Sequence, residues 1–268
     1  MHTDDLIRRL DWAFDLRKSG DYAEALEEFK NLERRSTHPE DVAALRLFQA
    51  MCLTDLSRFD EALEIIRRVD EKRLKTIDRI DYEGEYARIG RAKGMITAAL
   101  DHVRRALRIA ENVEDKSLII AAEAGLRALF GILLAESGKC DDALPILNEV
   151  SEHNAWWAEA KLHAGDCMYK KKWYREAINC YLTLAFSQEN IHPIYRNAAI
   201  RNIGFAHFDL GEFQVAVKYL QSVEHAYDDA PDLKAELFNI LSSAYSRLGM
   251  TQEATKYGRF SMGSSSVQ

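Results

Sequence analysis

Gly211-Glu212-Phe213-Gln214-Val215-Ala216 reads as a turn glycine, an aromatic two residues on, and an alanine three further. The same cadence stands at Gly20-Asp21-Tyr22-Ala23-Glu24-Ala25, Ser57-Arg58-Phe59-Asp60-Glu61-Ala62 and Gly94-Met95-Ile96-Thr97-Ala98-Ala99. It returns at Gly138-Lys139-Cys140-Asp141-Asp142-Ala143, Lys172-Trp173-Tyr174-Arg175-Glu176-Ala177 and Gly249-Met250-Thr251-Gln252-Glu253-Ala254. Successive alanines are 37, 37, 44, 34, 39 and 38 residues apart. A period in this range marks stacked supersecondary units.

Outward from each alanine, a small residue lies twelve positions earlier: Ala13, Ala50, Ala87, Gly131, Gly165, Gly204 and Ser242. Four positions later stand Phe29, Ile66, Val103, Leu147, Tyr181 and Leu220, all large and apolar, and then Gly258. The spacing predicts a helix, a turn closed by a left-handed glycine, and a second helix starting at the aromatic. The small residue and the alanine are expected to face each other, with the large residues packed around them at helical spacing. One such hairpin cannot bury its apolar face alone, so several must stack. The predicted fold is all-α, a right-handed superhelical solenoid of about seven hairpins. They lie near 4–35, 39–70, 76–111, 115–152, 154–187, 192–226 and 231–262. The 44-residue spacing places a bend near 111–115 and a long first helix from about Asp115 to Ser137. Residues 263–268 are expected to be a disordered tail.

The pattern resembles the tetratricopeptide repeat (TPR) family over residues 4 to 260, at the small residue, the turn glycine, the aromatic and the alanine. It departs from the family at the early Trp, replaced by Arg9, Arg46, Glu83, Arg127, Lys161, Ile200 and Phe238. The closing Pro is mostly missing, with Pro39, Pro193 and Pro231 expected in connecting loops. The spacing mostly exceeds the family's period of about 34 residues. The resemblance implies a concave groove, lined by the first helices, that holds an extended peptide or a partner helix. The residues expected on it are Phe14, Arg17, Met51, Asp55, Arg88, Arg91, Ile132, Asp166, Tyr169, Lys170, Arg201, Phe205, Phe208 and Asp209. Exposed apolar groups there (Phe14, Met51, Ile132, Phe205, Phe208) favour binding, unless superhelical closure or a neighbouring chain covers them. The mixed charges suit a partner with both signs. One TPR subfamily holds chaperone C-terminal carboxylates with a Lys and an Asn four apart. No equivalent pair here, from Leu10/Phe14 to Asn239/Ser243, carries that combination.

Composition agrees with this reading. Of 268 residues, 47% are hydrophobic, which excludes a disordered chain. Four prolines and 13 glycines are few for an all-β protein. A net charge of -7 and a pI near 5.7 disfavour general nucleic-acid binding. No apolar run approaches the roughly 18 residues of a membrane span, and Met1-His2-Thr3-Asp4-Asp5 does not open a signal peptide. Four cysteines without a CxxC pair read as reduced thiols, hence a cytoplasmic protein.

The search for chemistry yields no catalytic residue, no metal ligand and no cofactor site. His163 and Cys167 have the spacing of a metal half-site, but Cys167 falls in a core column with Cys52, Ile89 and Leu133. His207 reads as a satisfied, half-buried histidine, and the pairs Asp141-Asp142 and Asp228-Asp229 as helix starts or loops. Arg67, Arg68, Lys72, Arg73, Lys75 and Arg79, with Arg104, Arg105 and Arg108, fit either a solvated surface or an acid-recognising patch. The expected function is a scaffold that binds a protein or peptide in the groove. A peptide- or metabolite-sensing regulatory module and a self-assembling structural protein are the alternatives.

Overall fold

The computed structural model describes residues 3–263. Among them fourteen α-helices and no strand occur. The helices come in pairs: α1 (Thr3–Ser19) with α2 (Tyr22–Arg35), α3 (Pro39–Asp55) with α4 (Phe59–Ile66), and α5 (Thr76–Ala92) with α6 (Ile96–Glu111). Then follow α7 (Ile120–Glu136) with α8 (Cys140–Glu149), and α9 (Trp157–Lys170) with α10 (Tyr174–Ala185). The last pairs are α11 (Pro193–Asp209) with α12 (Phe213–Ser222), and α13 (Pro231–Arg247) with α14 (Thr251–Gly263). The chain forms two compact units, Met1–Leu133 and Leu134–Gln268. In the first, α1 to α6 each pack on the next helix in the chain, and α3 also meets α5. In the second, α8 to α14 do the same, and α11 also meets α9 and α13.

Each first helix ends in one hydrogen-bonded turn. An N–H two or three residues past the helix end reaches back five residues, as from Asp21 to the Leu16 carbonyl (2.9 Å) or Glu212 to His207 (2.9 Å). This closure demands a residue at positive φ just past the helix. Gly20, Gly94, Gly138, Gly211 and Gly249 supply it at φ 92°, 72°, 81°, 78° and 75°. Where the sequence has no glycine the backbone is unchanged: Ser57 sits at φ 60° and Lys172 at φ 63°. The second helix begins two residues after this position in all seven pairs.

The repeat columns form the core. Ala25, Ala62, Ala99, Ala143, Ala177 and Ala216 are fully buried, as are Phe29, Ile66, Val103, Leu147 and Leu220. One expectation about their packing is sharpened. The small residue makes room chiefly for the large one, and also for the alanine's backbone at Gly204, where a Cβ would stand 3.4 Å from the Ala216 carbonyl oxygen. A Cβ on Gly165 would lie 2.3 Å from Tyr181 Cε1, and one on Gly204 2.6 Å from Leu220. The last hairpin inverts the pair, for a Cβ on Gly258 would meet Ser242 Oγ at 3.2 Å. In the third hairpin the alanine has a further small neighbour: a Cβ on Gly90 would stand 3.4 Å from that of Ala99.

Two boundaries differ from the sequence reading. Pro39, Pro193 and Pro231 open α3, α11 and α13 rather than lying in loops, because a first-turn N–H has no helical acceptor to lose. The first helix of the fourth pair starts at Ile120, not near Asp115. Asp115 instead accepts from the Ser117 N–H (3.0 Å) and hydroxyl (2.6 Å), folding residues 116–118 into a separate 3-10 turn. Gly263 ends α14, and 264–268, most of the expected tail, lie outside the described residues.

Candidate functional site

In the first unit the groove candidates satisfy one another. Phe14 packs edge-on against Phe29 (5.4 Å) and Phe48 (4.8 Å), and Met51 is half-buried against the same core. Arg17 on α1 donates to Asp55 on α3 (2.9 Å). Arg88 on α5 donates to the other Asp55 oxygen (2.7 Å) and to Glu85 (2.9 Å). Asp55 thus ties three successive first helices together. Glu85 is only 2% exposed, and burial raises its pKa while Arg88 opposes the rise. Asp81, one turn earlier, is pushed up to about 6 by burial and by the charge of Asp78, with Arg17 acting the other way and Glu85 adding to the rise. Arg91 is half-buried on the same helix. Ile132 is corrected: it is fully buried, so it presents no apolar group to a ligand.

The second unit is different. Residues of α9, α10, α11 and α13 line an open cavity of about 260 Å³. Its wall is built around Asp166 on α9, whose Oδ1 accepts from the Tyr181 hydroxyl (2.7 Å) and from the Asn202 amide (2.9 Å). Tyr181 belongs to α10 and Asn202 to α11, so one carboxylate oxygen joins three helices. Burial, and then the Asp166 charge, raise the Tyr181 pKa and keep its proton on the phenol as donor. Arg201 donates through Nε to the Asn202 carbonyl oxygen (3.1 Å). Its guanidinium carbon lies over the rings of Phe205 (5.6 Å) and Tyr227 (5.5 Å). Such contacts stabilise a cation by about 0.5–2 kcal/mol. Tyr169 donates to Asp209 and packs on Tyr174 (5.4 Å). Lys170 and Glu236 stand exposed at the cavity.

Five of the fourteen groove candidates line this cavity: Asp166, Tyr169, Lys170, Arg201 and Phe205. Phe208 and Asp209 lie outside its lining. Phe205 and Phe208 are half-buried against the core that holds Leu220 and Leu241, and Phe208 packs on Phe213 at 5.4 Å. Tyr181, Asn202 and Glu236 are not among the groove candidates of the sequence. Tyr181 carried a signal, as the one hydroxyl among the large residues four past the alanine; Asn202 and Glu236 carried none.

Many of the other polar residues are paired within the protein, although Ser36 Oγ, Arg79 Nε and Arg196 Nε are buried without a hydrogen-bond partner. At two of the positions where the family has Trp, polar pairs cross the hairpin: Arg9 to Glu28 (2.5 and 2.8 Å), and Glu83 to Arg105 (3.2 Å) with a hydrogen bond to His102 (2.6 Å). The basic cluster is largely neutralised, with Arg68 on Glu64, Arg73 on Glu40, Arg79 on Glu71, Arg104 on Asp101 and Arg105 on Glu83. His207 meets Glu212 at 2.5 Å and stacks on Tyr219. His163 Nε2 faces Glu136 at 3.7 Å. Cys167 is buried, and burial with its neighbour Cys140 pushes its thiol up to about 12. Among the described residues, Glu152, His153 and Glu189 bring potential ligand atoms within 4.8 Å of one another. All three are exposed, a disposition acidic surface loops adopt without an ion. No described helix is long and apolar enough to cross a membrane.

A family model described as the SusR N-terminal TPR domain matches residues 26–244. No curated protein matches the sequence. Solved structures do. The Rap protein complexed with Competence and Sporulation Factor is 11% identical, with 98% of this chain and 77% of that one covered and a TM-score of 0.72. NprR in complex with its cognate peptide NprX is 14% identical, over 97% of this chain and 78% of that one, with a TM-score of 0.69. PH0952 from Pyrococcus horikoshii, a signal transduction ATPase with a tetratricopeptide repeat sensor, is 14% identical over 98% of this chain and 42% of its own, with a TM-score of 0.71. At such identities the likeness is one of fold.

Proposed function

Because this chain belongs to the TPR family of the SusR N-terminal domain, we propose that it is a binding module that holds a segment of polypeptide on the first-helix face of its C-terminal unit. The observation that carries this is the open cavity at Asp166, Arg201 and Phe205. Its polar atoms are already positioned by Tyr181 and Asn202, so little ordering remains to oppose binding. The volume, about 260 Å³, suits one or two side chains of an extended chain rather than a metabolite buried whole. That NprR was solved with a peptide supports the same class of ligand. Binding would bury apolar surface on Phe205 and match charge at the rim; no bond is made or broken.

Selection from a displayed random-peptide library tests the proposal. Phe205→Ala combined with Phe208→Ala is expected to lower capture at least about tenfold, the loss for an aromatic anchor worth roughly 2 kcal/mol. Undiminished capture would place binding elsewhere. A sensing role is the second reading. Asp166 joins α9, α10 and α11, so a ligand that disturbs it acts on three helices together.

A further inference from the structure

Among the described residues no acidic oxygen lies within ion-pair distance of the Arg201 guanidinium, whereas Arg17, Arg46, Arg58 and Arg88 each have one. Asp166, on the same cavity wall, spends its Oδ1 on Tyr181 and Asn202. The Arg201 side chain is nevertheless held, through Nε by Asn202 and through its face by Phe205 and Tyr227. A guanidinium fixed in this way offers a preorganised fork, the shape that takes a carboxylate through two parallel hydrogen bonds. Lys170, one helix away on the same cavity, is a second cation without an ion pair among the described residues.

We propose that this cavity takes a carboxylate of the bound segment, placed on Arg201 and assisted by Lys170. The inference rests on the peptide-binding reading and adds the chemistry that selects the ligand. It differs from a Lys and Asn pair four apart on one helix, since the fork is a guanidinium held by aromatic rings. Glu236, exposed on the α13 side, complements a cationic residue or a backbone N–H beside that carboxylate. The carboxylate belongs either to an acidic side chain or to a free C-terminus.

Three peptides decide between these sources by isothermal titration: Ac-Leu-Ala-Asp-Phe-Ala-NH2, its neutral analogue with Asn for Asp, and that analogue with a free C-terminal carboxylate. One acidic peptide is expected to bind at least about tenfold tighter than the neutral one, the scale of a charge-assisted pair. Arg201→Gln should abolish that preference, Arg201→Lys should weaken it because the fork is lost, and Lys170→Gln should reduce it in part. Thermal melts by circular dichroism check that each variant is folded. Equal affinity for all three peptides, binding of none, or a preference that survives Arg201→Gln overturns the carboxylate site. The displayed library separates the two readings. Captured peptides whose affinity ignores amidation of every carboxylate leave the groove standing and this inference refuted.

Discussion

Replacing Asp81 by Asn tests the electrostatics of the first unit. Asp81 lies among Asp78, Glu85 and Arg17, and its carboxyl is raised from 3.8 to about 6, chiefly by burial. In the unfolded chain it loses its proton near pH 4. Between these values the folded state binds more protons than the unfolded one, so stability falls as pH rises through the window. Above the folded pKa the whole penalty is present. Two pKa units correspond to roughly 3 kcal/mol, a ceiling, because the side chain keeps some contact with water. Asparagine has nearly the same shape and no charge. Asp81→Asn is therefore expected to stabilise the protein by about 1–3 kcal/mol at pH 7.5, with the gain shrinking towards zero near pH 4. Urea denaturation of both proteins across this range measures it, and the other titrating groups cancel in the difference. A variant less stable than its parent at pH 7.5, or a difference that does not change with pH, would refute the reasoning.

Other expectations concern the turns, the packing and the ion pairs. Ser57→Gly and Lys172→Gly should each stabilise by about 0.5–1 kcal/mol, since both residues hold a left-handed backbone that disfavours side chains; chemical denaturation reads this. Gly165→Ala should cost at least about 1–3 kcal/mol by overpacking. Because the displaced ring is Tyr181, the anchor on Asp166, the same variant should also weaken peptide capture. Glu28→Gln should lose roughly 1–2 kcal/mol, as Glu28 is 5% exposed and paired with Arg9; thermal melting would detect it.

The fold was legible because its determinants are local and repeated. A glycine at a helix end and an alanine four residues before a large apolar residue recur in register, and each recurrence corrects for a missing member, as at Ser57 or Gly258. That the small residue makes room chiefly for the large one was not legible, since spacing along one helix does not give the rotation of its partner. The groove candidates divided for a similar reason. Sequence position placed Arg17, Asp55 and Arg88 on a common face, but not that they would neutralise each other across helices. Around Asp166 the decisive groups, Tyr181 and Asn202, come from positions whose column or neighbours read as core or as nothing in particular. Burial of Ile132 had no sequence mark, for an isoleucine at that spacing serves a core or a groove equally well.

The ion pairs that replace the family's Trp have a consequence for how a repetitive chain finds its order. In the first hairpin the first helix carries the cation, Arg9, and the second the anion, Glu28. In the third hairpin the signs are exchanged, with Glu83 facing His102 and Arg105 at the same register. In the fifth the second helix brings no charge to the position, placing the Cys180 thiol on the Lys161 backbone carbonyl. A first helix that docked on the wrong second helix would set Glu83 against Glu28, both nearly buried, or Arg9 against Arg105. Exchanging the sign therefore distinguishes the first hairpin from the third. Hairpins that look interchangeable by their alanines and glycines would be poor substitutes for one another in a shuffled or swapped chain.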